Sequence, residues 1–195
     1  MVLENKQIFH LCQALLRQQQ QNEAEADQCL STTLRDLVLE CDEVLGLKAC
    51  CAIGDLLKQN STLLERLVLW GTQVDEGGML FIADCMKQNQ KLKILHMSHE
   101  NISIKSQLAL LDMLQHHNYY LETLLLRSLF GSDKEIFKRT DFFLKLNTTC
   151  LRRLLLNINA SREQIFDKLV VHSNNLDYLF HLLKANPTFV EPQQQ

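Results

Sequence analysis

Glycine and proline are nearly missing from this chain: six and two of 195 residues, with both prolines, Pro187 and Pro192, in the last nine. No Pro- or Gly-rich linker interrupts the interior, so no domain boundary is expected there. Runs of lysine or arginine are missing too, and the formal net charge is −3; this excludes the basic footprint of a nucleic-acid-binding protein. No stretch approaches the ~20 consecutive apolar residues of a membrane span. The N-terminal "MVLENKQIFHLCQALLRQQQQ" is interrupted by Glu4 and Lys6 and carries no apolar run of signal-peptide length. Neither GxxxxGK[ST] nor GxGxxG occurs, so no nucleotide loop is indicated. The seven cysteines (Cys12, Cys29, Cys41, Cys50, Cys51, Cys85 and Cys150) are odd in number and form no CxxC. Without an export signal they read as buried, reduced thiols, and the protein as cytoplasmic.

What the chain has in excess is leucine, 39 residues or one fifth of the whole. The leucines are ordered. "LRDLVL" begins at Leu34, "LERLVL" at Leu64, "LKILHM" at Leu92, "LETLLL" at Leu121 and "LRRLLL" at Leu151, at intervals of 30, 28, 29 and 30 residues. All five fit L-x-x-L-x-[LM]. Asn60, Asn89, Asn118 and Asn147 stand three or four residues before the next copy. A fixed period of this size marks a stacked array of supersecondary units.

The 3,2 spacing has a mechanism. Side chains alternate along a strand, so Leu67 and Leu69 face one way while Arg66, Val68 and Trp70 face the other. Leu64 precedes the strand, where the chain is still turning, and also faces inward. The second part of each period has helical spacing: Ile53, Leu56 and Leu57; Ile82, Cys85 and Met86; Leu108, Leu111 and Leu114. The terminal Asn suits a left-handed helix cap. Each unit is thus a short strand plus a helix of about three turns, and stacking puts the strands in one parallel sheet. Because the helix is wider than the strand, the stack curves with the sheet inside. Ile8, Leu11, Cys12, Leu15 and Leu16, within residues 3–20, predict an N-terminal capping helix, followed by a polar connection, "QQQQNEAEADQ". Helices in "SREQIFDKLVVHS" and "NLDYLFHLLKAN" close the other end. The organisation expected is a cap and connection over 1–30, repeats over 31–160, and capping helices with a tail over 161–195.

These residues resemble the ribonuclease-inhibitor type of leucine-rich repeat over roughly Leu34 to Asn186. The resemblance implies an α/β, right-handed leucine-rich-repeat solenoid of about five repeats, with a parallel concave sheet, outer helices and helical caps. The pattern departs from the family eight residues after each first Leu. The usual Asn or Cys is present there only as Asn159; the others are Asp42, Thr72, Glu100 and Leu129. The apolar residue two positions on is Val44, Val74 and Ile102, then Gly131 and Ser161. The fourth connection, "RSLFGSDKEIFKRTDFF", is the least regular.

Parity alone lists the strand positions that face away from the core. They are Asp36, Val38 and Glu40; Arg66, Val68 and Trp70; Ile94, His96 and Ser98; Thr123, Leu125 and Arg127; and Arg153, Leu155 and Asn157. The middle column, Val38, Val68, His96, Leu125 and Leu155, is mostly aliphatic on a surface that water should reach, and such a stripe marks a binding face. Trp70, Arg66 and Arg127 are residue types enriched among interface anchors. Asp36 and Glu40 lie at one end, and Arg127, Arg152 and Arg153 at the other, a polarity that would orient a partner. The structural alternative is that β-branched and aliphatic residues simply suit strands.

Chemistry finds little purchase. His96 and His99 fall on opposite faces of one strand, His116 and His117 are adjacent, and no Cys or carboxylate joins them at ligand spacing, so no metal is expected. His96 is two inter-strand spacings, roughly 10 Å, from the level of Cys41 or Cys150, too far for a nucleophile–base pair. No cofactor and no catalysis are expected. The expected function is non-catalytic: a monomer that binds another protein through its concave face, inhibiting or redirecting an enzyme, with no nucleic-acid or membrane partner. The contrasting reading is a scaffold whose apolar groove closes a homodimer. The Gln-, Asn- and Leu-rich, Gly-poor style is also similar to that of leucine-rich-repeat effectors of intracellular bacteria, which would act after translocation into a host cell.

Overall fold

A computed structural model describes residues 3–24, 34–41, 44–59, 63–71, 73–98, 102–127, 133–157 and 160–185, with side chains at 19–24, 98, 127 and 185 left out. The chain is mixed α/β and forms two compact units, Met1–Leu144 and Lys145–Gln195.

In the first unit, helix α1 (Asn5–Ala24) precedes β1 (Asp36–Glu40), β2 (Val44–Leu45) and α2 (Leu47–Lys58). Then come β3 (Arg66–Trp70), β4 (Gln73–Val74), α3 (Glu76–Met86) and β5 (Ile94–Ser98). Helix α4 (Ile104–Asp112) ends in a π-helical turn over Met113–His117, and is followed by β6 (Thr123–Arg127) and α5 (Lys134–Thr148), inside which the unit ends. Strands β1, β3, β5 and β6 make one parallel four-stranded sheet in chain order, and β2 pairs with β4 beside it. Strands β1, β3, β5 and β6 fall where the leucine code predicts; β2 and β4 are not among the strands it predicts.

Alternation sets the core. Leu37, Leu39, Leu67, Leu69, Leu95 and Met97 are buried, as are Leu64, Leu92 and Leu121 ahead of their strands. Leu34 is the exception at 37% exposed: it leads into β1, the edge strand, beside which no further strand pairs among the described residues. The helices bury the stripes their spacing gives, with two shifts. In α4 the buried residues are Ser106, Gln107, Leu110 and Leu111, with Leu114 buried in the π-helical turn, while Leu108 is half exposed. Gln107 takes the inward place because its Nε2 donates to Ile102 O (3.1 Å) and its Oε1 accepts from Asp133 N (3.1 Å). In the first turn the inward residue is Leu45, not Val44. Partners are 30 residues apart in the main sheet (Asp36 and Arg66) but 29 apart in the small one (Val44 and Gln73), so one extra residue precedes Val44.

Local chemistry starts the helices. The Asp75 and Ser103 side chains accept from Gly78 N and Ser106 N at the heads of α3 and α4, and Asp133 accepts from Glu135 N and Ile136 N ahead of α5. Helix α2 begins at Gly46, whose N–H donates to Asn5 Oδ1 while Asn5 Nδ2 donates to Val44 O. Asn5 thereby ties α1 to the following unit, Leu3 N bonds Glu40 O, and Ile8, Cys12 and Leu16 turn inward. Helix α1 runs to Ala24, further than the predicted cap and into the glutamine run read as a connection.

Asn60 lies outside the described residues, and Asn89 and Asn118 do not act through left-handed backbone. Asn118 has φ −105° and ψ 114°, and Asn89 is not among the positive-φ residues. Their side chains do the work. Asn89 Nδ2 donates to Leu57 O at 2.6 Å, and its Oδ1 accepts from Lys91 N and Leu92 N. Asn118 Nδ2 donates to Met86 O (2.7 Å) and Asn89 O (3.0 Å), and its Oδ1 accepts from Tyr120 N and Leu121 N. Each Asn therefore closes its own turn and fastens it to the unit before.

The second unit differs from expectation. "LRRLLL" is not a fifth strand but helix α6 (Leu151–Leu156), followed by α7 (Arg162–Val171) and α8 (Leu176–Ala185). Asn147 Oδ1 accepts from Arg152 Nη1 at 3.0 Å, and Cys150 adopts a left-handed φ of 58° that turns the chain into α6. Ser161 and Gln164 make a reciprocal capping box at the head of α7. The family-divergent positions Asp42, Thr72, Glu100, Leu129 and Asn159, with residues 128–132 of the fourth connection, lie outside the described residues; the rest of that connection enters α5.

Candidate protein-binding face

Strand alternation brings twelve of the fifteen predicted face residues onto one side of the sheet. The register is Asp36–Arg66–Ile94–Thr123 in one row and Val38–Val68–His96–Leu125 in the next; the third pairs Glu40 with Trp70 and Ser98 with Arg127. The other three do not join them. Arg153 and Leu155 are in α6, and Asn157 follows it.

Exposure sorts the rows. Val38 (52%), Trp70 (45%) and Leu125 (55%) are open to solvent. Arg66, Ile94, His96 and Thr123 are half-buried, and Asp36 and Glu40 are exposed. Val68 departs from expectation: it is fully buried, with Val38, His96, Arg66 and Trp70 as its four same-face neighbours. The apolar stripe thus surfaces as separate anchors rather than a continuous row.

Charge on this face is local. Arg66 Nη1 lies 3.6 Å from Asp36 Oδ1 across β1 and β3. Water reaches both side chains, Asp36 more than Arg66, so the pair is worth about 0–1 kcal/mol. His96 is held below its ordinary imidazole range, first by burial and then by the Arg66 charge, which favours the neutral ring at neutral pH. Of the expected basic end, Arg152 and Arg153 are in helix α6 of the second unit, where Arg152 is buried against Asn147 and Arg153 donates to the Cys150 sulfur.

One row escaped the parity argument. Arg35, Glu65, Lys93 and Glu122 each directly precede a strand and alternate in sign. Glu65 meets Lys93 Nζ at 3.0 Å and Arg35 Nη1 at 3.9 Å, and the Lys93 hydrogen bond holds its carboxyl below the usual range. Backbone bonds Glu65 N to Arg35 O, Lys93 N to Glu65 O and Glu122 N to Lys93 O run along the same row. The signal was readable: these residues stand one after each leading leucine.

Burial pushes the Cys12 and Cys50 thiols up to about 12, and Cys85 to about 11. Such thiols stay protonated at neutral pH and are poor nucleophiles; contrary to expectation, Cys51 is only half-buried and Cys150 is exposed. Among the described residues no three His, Cys, Asp or Glu side chains gather as metal ligands would, and no helix is long and apolar enough to cross a membrane. His99 lies outside the described residues. The chain matches no protein-family model and no curated protein.

Proposed function

We propose that this protein is a non-catalytic binding module: a right-handed leucine-rich-repeat solenoid of the ribonuclease-inhibitor type whose concave sheet docks a partner protein, inhibiting or redirecting an enzyme in the cytoplasm. One observation carries the reading. Val38, Trp70 and Leu125, three large apolar side chains on three strands of one sheet face, stand open to solvent among Asp36, Glu40 and Arg66. Large apolar anchors in a polar surround are the anatomy of a protein-binding patch, and Trp is the strongest hot-spot type. The buried, protonated thiols of Cys12, Cys50 and Cys85 offer no nucleophile, which favours binding over chemistry.

The test is capture from lysate on wild-type protein beside a Trp70→Ala/Leu125→Asp variant with the same far-UV spectrum and unfolding midpoint. The partner retained by wild type should be lost by the variant, with Trp70→Ala alone weakening the isolated complex by ~2 kcal/mol or more. Equal retention by both would remove the sheet face from the reading. Light scattering on the unbound protein separates the homodimer: a monomer is expected, and a dimer that dissociates on Trp70→Ala would replace partner binding with self-association.

A further inference from the structure

The helix layer of the first unit begins one step before its sheet. Helices α2, α3 and α4 each follow a strand of the main sheet. Helix α1 packs on α2, as α2 packs on α3, yet no strand pairs with the outer side of β1 among the described residues. The core side is less covered there. Leu37 is 8% exposed, whereas Leu67 and Leu95, its partners along the row, are fully buried. Register fixes which backbone groups the edge presents. Arg35 O accepts from Arg66 N, and Cys41 N donates to Trp70 O, so odd-numbered residues from Arg35 to Cys41 turn their N–H and C=O towards β3. Backbone groups alternate along a paired strand, so Asp36, Val38 and Glu40 turn theirs outward.

One outward group is already taken: Glu40 O accepts from Leu3 N at 2.7 Å. Main chain from outside the sheet thus bonds to this edge at one end. The N–H and C=O of Asp36 and Val38 have no partner among the described residues. Such an edge is a template for a further strand. The side chains say which strand fits. Asp36 and Glu40 are exposed acids on either side of Val38, itself 52% exposed. A second copy paired edge to edge about Val38 would set each Asp36 opposite a Glu40, and like charges directly opposite destabilise the pair. Strand β3 shows what the same residues accept on their inner side: Arg66 beside Asp36, with Nη1 3.6 Å from Oδ1, and Val68 beside Val38.

We propose that the outer edge of β1 is a strand-addition site for another protein. It takes an extended segment with Arg or Lys beside Asp36 and Val, Ile or Leu beside Val38, bonded to the outward main-chain groups of those two residues. Main-chain bonds hold the segment, and its alternate side chains select it. Leu3 marks where the segment ends. The site is the edge of the sheet rather than its face, and it uses neither Trp70 nor Leu125.

The probe is a capped, fluorescein-labelled peptide with the core Arg-Val-Val-Val-Arg, which meets the pattern in either chain direction. Anisotropy titration with the full chain should show saturable binding. Amide-exchange NMR should find the Asp36 and Val38 amides fast in the free protein and slowed by about tenfold at saturating peptide. Asp36→Lys/Glu40→Lys should weaken the peptide about tenfold and favour a Glu-Val-Val-Val-Glu analogue instead. Val38→Pro removes an outward N–H without touching the ladder to β3, so it should fold and lose the peptide. Methylating the peptide's backbone nitrogens keeps its charge and should abolish binding; this arm decides alone if Val38→Pro loses amide protection in β3 and β5. No binding of the parent peptide, equal binding of the methylated one, or Asp36 and Val38 amides already slow in the free protein would overturn the proposal. So would a dimer that Val38→Pro dissociates, because a second copy would then hold the edge. The Trp70→Ala/Leu125→Asp variant keeps the edge and should bind the peptide as wild type does, so failure of either proposal leaves the other standing.

Discussion

Asn118 makes four hydrogen bonds through a side chain with no exposed surface. Its amide donates twice and accepts twice, which a carboxylate or an aliphatic group cannot do. Asn118→Ala leaves the Met86 and Asn89 carbonyls and the Tyr120 and Leu121 amides to find other partners, and should cost at least ~2 kcal/mol in urea unfolding. A loss under ~0.5 kcal/mol would mean that the ladder follows the packing rather than supporting it. The recurrence of Asn was legible in the sequence; its mechanism was not, because a backbone cap and a side-chain bridge to the preceding unit leave the same mark in one chain. His96 offers a second test. Its folded-state pKa lies below the unfolded value, so the unfolded chain binds the proton more readily. Its contribution is complete above the unfolded pKa and is lost as pH falls through the folded one. Wild type should lose stability more steeply than His96→Asn between about pH 7 and about pH 5. Parallel slopes would show that the ring is no more desolvated than in the unfolded chain. Comparing the two proteins removes the parallel acid loss from Glu65 and Glu76, whose carboxyls are held low by Lys93 and by Ser103 with Lys105.

At the scale of elements, the four strands of the main sheet and their register follow from parity, and helices α1 to α4 follow from apolar spacing. What parity could not tell is that one leucine code has two outcomes. "LETLLL" and "LRRLLL" have the same apolar positions, and what separates them is the tertiary setting together with the turn taken at Cys150. Periodicity also placed Leu108 inside, because it weighs hydrophobicity and not the two hydrogen bonds that draw Gln107 there. The packing of α2 on α3 was equally hidden. A Cβ on Gly54 would overlap the edge of the Phe81 ring and lie 2.7 Å from the Cys85 sulfur, and one on Gly78 would lie 2.6 Å from the Cys50 sulfur. Gly54 thus sets how closely the two helices approach. Alanine would gain about 1 kcal/mol of helix propensity there, while overpacking costs about 1–3 kcal/mol. Gly54→Ala should therefore destabilise, and Phe81→Leu in the same chain should recover part of the loss. A gain in the midpoint from Gly54→Ala alone would show that Phe81 swings aside freely.

For the molecule as a whole, the question is whether the units of the first body open together. A stack held by contacts between sequential neighbours should be weakest at its ends. Three buried thiols report on it from three successive helices: Cys12 on α1, Cys50 on α2 and Cys85 on α3. Burial raises all three well above the pH of a labelling buffer, so each reacts only when its helix opens. Helix α2 is packed on both sides, by α1 and by α3, and its Leu57 carbonyl is held by Asn89. Helix α1 is packed on α2 and tied to it through Asn5. Pulse alkylation read by mass spectrometry should label Cys12 before Cys50 and Cys85, and those two at similar rates. Mild urea should speed Cys12 less steeply, since opening an end exposes less surface than opening the middle. Equal rates and equal urea slopes at all three thiols would instead make α1 an integral part of one cooperative core, and its asparagine tether as strong as the packing between α2 and α3.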